Sequence, residues 1–220
     1  MSLEVIEVET GSNPGASIIV LHGLGADGND FVPICDQIDL SSVGPVRYVF
    51  PHAPVRPVTI NGGYPMRAWY DVLSFERGQN EDEAGLRASQ AELETLIAKE
   101  VSRGVPAGRI VLMGFSQGCV MTLMTGLRHD TRLAGLVGLS GYLPLASKVA
   151  DERAPANADV PIFLAHGNAD PVIPYARAEA ARDALEGLGY AVEWHMYRMP
   201  HSVCPQEIAD VHGFLLQVLA

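Results

Sequence analysis

The string Gly114-Phe115-Ser116-Gln117-Gly118 sets a serine between two glycines, after the apolar run Arg109 to Met113 and before a stretch carrying Val120, Met121, Leu123, Met124 and Leu127. A strand before and a helix after G-x-S-x-G make a sharp turn whose strained backbone leaves no room for Cβ atoms two residues to either side. The hydroxyl then projects above the edge of a sheet. The helix that opens there points its free N–H groups and positive dipole end at the place where an oxyanion would form on a carbonyl under attack. The Gln117 amide is the first of these donors. Pentapeptides of this form recur by chance, so the flanking strand and helix give this one its meaning.

A serine hydroxyl is a poor nucleophile at neutral pH and needs a base within hydrogen-bond reach, a task for which imidazole is suited. Seven histidines compete. His195 falls inside a strand, His212 inside the last helix and His129 just past the helix after Ser116, which are structural or surface settings. His22, His52 and His166 each follow a strand, and two of them precede the serine in the chain. His201 is the preferred base because it lies in the loop after the last strand, at the sheet edge where parallel α/β proteins place their chemistry.

The second imidazole nitrogen needs an acid to fix its tautomer and stabilise the imidazolium. Asp170 is expected to supply it, because it follows the strand Ile162 to Ala165 through the turn His166-Gly167-Asn168-Ala169. Asp151, Asp159 and Asp183 read as solvated carboxylates. A second oxyanion donor is expected from the loop after an early strand. Leu21-His22-Gly23-Leu24-Gly25 provides one, with the Leu24 amide turned inward by its two glycine neighbours. Asp27-Gly28-Asn29-Asp30 lacks the rest of a calcium loop and is expected to cap a helix starting at Phe31.

These residues require a sheet with its strand ends aligned. Near-continuous apolar runs predict strands over Val5 to Glu9, Ser17 to Leu21, Arg47 to Phe50, Ile110 to Met113, Leu133 to Leu139, Pro161 to Ala165 and Val192 to Tyr197. Amphipathic stretches predict helices over Glu81 to Arg103, Phe31 to Ile38, Gln117 to Leu127, Ala176 to Leu188 and Pro205 to Leu219. Their alternation implies a mostly parallel central sheet flanked by helices. Residues 53 to 80 show neither periodicity, and loops of that length usually serve function. No linker divides the chain, so residues 1 to 220 are expected to form one α/β domain without a large cap.

Six blocks extend the pattern beyond the serine pentapeptide: HGLGADGNDF from His22, FPHAPVRPVTINGGYPMRAWYD from Phe50, GFSQGC from Gly114, LSGYLPL from Leu139, HGNADPVIP from His166 and MPHSV from Met199. Together they resemble, over nearly the whole chain, the small carboxylesterase and acyl-protein thioesterase (phospholipase/carboxylesterase) family of α/β-hydrolases, especially its bacterial carboxylesterase branch. The order Ser116, Asp170, His201 is also that of an α/β-hydrolase triad. The resemblance implies Ser116 as nucleophile, His201 as base, Asp170 as its acid and the Leu24 and Gln117 amides as oxyanion hole. It further implies that Trp69, Leu73, Leu143 and Val172 approach the acyl chain, and that neither metal nor organic cofactor takes part. Two positions depart from the pattern: Cys119 stands where glycine or alanine is frequent, and Pro200 where glycine often precedes the histidine.

The function expected is a serine carboxylesterase acting through an acyl-enzyme on short- to medium-chain esters, with a small-molecule acyl ester or thioester as partner. An acyl-(protein) thioesterase or lysophospholipase is the alternative chemistry, and a non-catalytic ligand-binding homologue the alternative from another class.

Composition narrows the setting. Fifteen Lys and Arg against 26 Asp and Glu give a net charge of −11, which repels phosphate backbones and anionic lipid surfaces. Nucleic acid is therefore not an expected partner. Hydrophobic content of 48% with 19% charged residues suits a compact core and excludes disorder. The longest apolar runs fall far short of the roughly 18 to 20 residues needed to cross a bilayer, so no stable membrane insertion is expected. Three widely spaced cysteines fit reduced thiols better than a disulfide framework. His201 and Cys204 have ligand-like spacing but lack a matching second pair, which argues against zinc. The opening residues show no basic stretch followed by an apolar one, so a cytoplasmic address is expected. Assembly, including a homodimer through an apolar surface, is left open.

Overall fold

The computed structural model describes residues 3–73 and 81–220. The strands are β1 (Val5–Glu9), β2 (Ala16–Leu21), β3 (Val46–Pro51), β4 (Val55–Val58), β5 (Tyr64–Arg67), β6 (Ile110–Phe115), β7 (Gly135–Leu139), β8 (Ile162–Gly167) and β9 (Val192–Tyr197). Seven of them form one sheet in the order β1-β3-β2-β6-β7-β8-β9, with β1 antiparallel to β3 and every other pair parallel. Every residue of β2, β3, β7 and β8 is buried, as apolar strands covered on both faces must be.

The helices are α1 (Glu83–Ser102), α2 (Gln117–Gly126), α3 (Ala146–Glu152), α4 (Tyr175–Gly187) and α5 (Pro205–Val218). One core layer joins Leu86, Leu93 and Ile97 of α1 to Val120 and Leu123 of α2 and Leu185 of α4. On the other face of the sheet, Ile34 packs with Val211, Phe214 and Leu215 of α5. The registers Leu21↔Gly114 and Phe115↔Leu139 bring the carboxyl ends of β2, β6 and β7 level. The loops that leave these ends therefore meet above the sheet, at the position where open α/β folds bind ligands.

The structure shifts several expected elements. The helix expected over Phe31 to Ile38 is a 3₁₀ helix over Gly28–Asp36 with Pro33 inside it. A proline has no N–H to donate and crowds the preceding turn, which disfavours a regular α-helix there. Its cap is Asp27, whose side chain accepts from the Asn29 amide at 2.8 Å, so the helix opens before Phe31. Within residues 53 to 80, β4 and β5 pair as a separate antiparallel hairpin. Residues 74 to 80, part of that stretch, lie outside the described residues. The strand expected from Leu133 begins at Gly135, because the Leu133 amide donates to Asn157 Oδ1 instead. The seven-residue α3 was not anticipated by periodicity. No helix among the described residues is long and apolar enough to cross a membrane.

Candidate active site

Ser116 has φ 56° and ψ −116°, a conformation an L-residue adopts only under constraint. The constraint is close packing around the turn. A Cβ on Gly114 would collide with the Gly118 backbone, and one on Gly118 would collide with the Leu21 carbonyl. The Ser116 amide is held by Leu139 O at 2.8 Å, which anchors the turn to β7. Strand, glycines and helix together thus aim the hydroxyl out of the sheet edge.

Ser116 Oγ donates to His201 Nε2 at 2.9 Å, and His201 Nδ1 donates to Asp170 Oδ2 at 2.6 Å, the tautomer following from the carboxylate partner. The structure therefore brings the three residues expected from the sequence into one chain of hydrogen bonds. The Asp170 side chain is fully buried and His201 is largely covered. Burying a carboxylate is costly unless its oxygens are satisfied. Here Oδ1 accepts from the Val172 and Ile173 amides at 2.7 and 2.9 Å, and Oδ2 also lies 3.2 Å from His166 Nε2.

The turn that carries Asp170 and the loop that carries His201 are joined through backbone. Asn168 N donates to Tyr197 O at 2.9 Å and Ala169 N to Met199 O at 3.2 Å. Gly167 makes that contact feasible, because a Cβ there would strike the carbonyls of Met199 and Pro200. Pro200 leaves His201 within reach of both its partners. Cys119 is buried against Gly138 and Gly141, and burial pushes its thiol up to about 12, so it packs the helix and does not compete as a nucleophile.

The Gly23–Leu24 turn lies against Ser116: a Cβ on Gly23 would sit 3.3 Å from Ser116 Cβ. Gly25, at φ 77°, completes the turn and donates to Arg67 O at 2.9 Å, tying it to β5. The Leu24 loop and the first turn of α2 at Gln117 therefore border Ser116 from two sides. The Gln117 side chain has a second task that the sequence did not disclose. Its Oε1 accepts from Trp69 N at 3.0 Å and its Nε2 donates to Tyr70 O at 3.0 Å, clamping the segment after β5.

The four residues expected near an acyl chain separate into two pairs. Trp69 is fully buried, donates its indole N–H to His22 O at 2.9 Å and packs against the His22 ring; Leu143 is also buried. Leu73 and Val172 are exposed. Of the remaining histidines, His129 is bound to Glu94 Oε2 at 2.6 Å, and His212 donates to Asp39 O at 2.8 Å. His195 stacks on Phe163 with ring centres 4.8 Å apart. His22 and His52 accept the amide protons of Ala53 and Gly28 at 3.0 and 3.1 Å. Sequence reasoning weighed His166 only as a rival base. The structure gives it a place behind Asp170, with Nε2 also donating to Ile173 O at 2.9 Å and burial lowering its pKa.

Residues 3–219 match the phospholipase/carboxylesterase family. The chain belongs to that family. Relatives of this phospholipase/carboxylesterase member include an acyl-protein thioesterase 1 of Mycosarcoma maydis, 40% identical over 98% of this chain and 96% of the relative. Another is an acyl-protein thioesterase 1 of Neurospora crassa, 40% identical over 93% of this chain and 87% of that one. Among solved structures, Zea mays acyl-protein thioesterase 2 superposes with a TM-score of 0.86 at 30% identity, over 99% of each chain. Arabidopsis thaliana SOBER1 superposes with 0.89 at 29% identity, over 93% of this chain and 99% of that one. The fold is that of the α/β-hydrolases, and the family member described here is a serine hydrolase.

Proposed function

We propose that this chain hydrolyses acyl thioesters and esters through a covalent acyl-enzyme on Ser116. The observation that carries the reading is the continuous relay from Ser116 Oγ through His201 to the buried Asp170. His201 takes the serine proton as Oγ attacks the carbonyl carbon, and the amides of Leu24 and Gln117 receive the negative charge on the carbonyl oxygen. His201 then returns the proton to the departing sulfur or oxygen. Water repeats the sequence on the acyl-enzyme and releases the acid. One oxyanion donor contributes about 2.7–4 kcal/mol to such a transition state.

The names of the relatives favour sulfur as the principal leaving atom, and the generic carboxylester activity expected from sequence becomes the secondary one. The exposed positions of Leu73 and Val172 support an open acyl surface and a preference for short to medium chains. Matched thioesters and esters of one acyl group, assayed beside Ser116→Ala, test the chemistry. We expect turnover of both, higher kcat/KM on the thioester, fluorophosphonate labelling of the intact protein and loss of both activities in the variant. Undiminished hydrolysis by pure, folded Ser116→Ala would overturn the mechanism. Turnover rising steadily from butanoyl to hexadecanoyl substrates, all kept monomeric, would overturn the chain-length preference.

A further inference from the structure

Resting on that reading, we propose that a groove beside His201 is the leaving-arm site and selects uncharged, apolar thiols and alcohols over anionic ones. The groove encloses about 450 Å³, enough for a small organic arm. Phe31, Ile34, Phe115, Val203 and Ile208 line it together with His201. The rings of Phe31, Phe115 and His201 follow one another, with centres 6.0 and 4.8 Å apart, so an apolar wall runs from the groove to the base.

Its position relative to the sheet determines what it holds. Trp69, Leu143 and Leu24 pack with the core layer of α1 and α2, whereas Ile34, Ile208, Phe31, Phe115 and Val203 pack with the layer of α5. Ser116 stands at the boundary, where β6 ends. An acyl carbon bonded to Oγ carries its acyl chain and its leaving arm in different directions. When the tetrahedral intermediate collapses, the carbon–sulfur bond breaks, sulfur keeps the electron pair, and the proton on His201 Nε2 moves to it. The arm bearing that sulfur must therefore leave on the His201 side, and the groove is the apolar surface there.

Charge then sets the selectivity. Exposed Asp30 stands on the groove, no lysine or arginine lines it among the described residues, and the chain carries −11 overall. A polyanionic arm such as coenzyme A meets like charge, whereas an aromatic thiol meets phenylalanine. The test holds the acyl group at butanoyl and compares thioesters of naphthylmethanethiol, N-acetylcysteamine and coenzyme A. Each substrate preference is expressed as a ratio of kcat/KM and compared between wild type and variant, so intrinsic reactivity cancels.

Phe31→Ala should lower the naphthylmethyl to N-acetylcysteamine ratio at least five-fold. Asp30→Lys should raise the coenzyme A to N-acetylcysteamine ratio at least three-fold, with the gain fading at high salt. Because Asp30 is exposed, that variant decides the matter if Phe31→Ala fails to fold. Ratios unchanged in every folded variant would overturn the groove assignment while leaving the hydrolase intact. Absence of all thioester and ester turnover from the folded wild type would instead overturn the reading on which it rests.

Discussion

Asp170 serves two imidazoles, and what separates them is what lies on their far side. His201 Nδ1 is 2.6 Å from Oδ2, and its Nε2 faces the Ser116 hydroxyl in a partly accessible site. His166 Nε2 is 3.2 Å from the same oxygen, but its ring is sealed in the protein and its Nδ1 has no partner among the described residues. Burial lowers the His166 pKa, which disfavours the charged ring. A carboxylate alone therefore does not make a general base. Under the proposed mechanism, the Ser116 hydroxyl on the other nitrogen and room for the proton to move are what His201 has and His166 lacks.

Replacing the partly accessible member of the pair should have the largest effect: His201→Ala is expected to lower kcat by about 10⁴- to 10⁶-fold with folding retained. A loss under ten-fold in single-turnover acylation would erase the distinction drawn between the two rings. Next comes Asp170→Asn, which keeps the shape but alters tautomer and charge, expected to reduce kcat about 10⁴-fold. His166→Phe tests the buried member. Removing its donor should cost about 1.5–3 kcal/mol in denaturant unfolding and reduce kcat by less than roughly 100-fold. A loss equal to that of Asp170→Asn would make the two histidines equivalent partners of the acid.

The effect expected to leave turnover least changed is in stability against pH. His166 has a folded pKa below that of the unfolded chain, so the unfolded state binds the extra proton, and stability falls as pH drops below about 6.5. Buried Glu207, in the first turn of α5, behaves oppositely. Burial raises it to about 8, so the folded state holds a proton that the unfolded chain releases, and stability falls as pH rises from about 4.5 towards 8. Thermal unfolding from pH 5 to 9 should show the acid slope reduced in His166→Gln and the alkaline slope reduced in Glu207→Gln. Parallel curves for wild type and both variants would contradict the assignments.

The residues of the Ser116–His201–Asp170 relay could be read from the sequence because each is marked by a local rule: glycines around Ser116, a strand exit before Asp170, and a loop before the last helix for His201. The role of His166 could not, since its approach to Asp170 depends on how the turn after β8 folds back. The β4–β5 hairpin was hidden by Pro57 and Pro65, which face each other in its register and disrupt the alternation that announces a strand. The helix α3 begins after Leu145 at φ 48° and spans too few residues for a hydrophobic period to show. Trp69 carried an aromatic signal that did not distinguish a packed anchor from a wall of the site.

The contact of Gly167 with the carbonyls of Met199 and Pro200 has a consequence for how the molecule fails. Asp170 and His201 are bolted to a single seam of main chain at the end of β8, so neither can drift while the other stays put. Gradual heating should accordingly extinguish turnover and melt this edge in one step, without a warm, shapely, idle species in between.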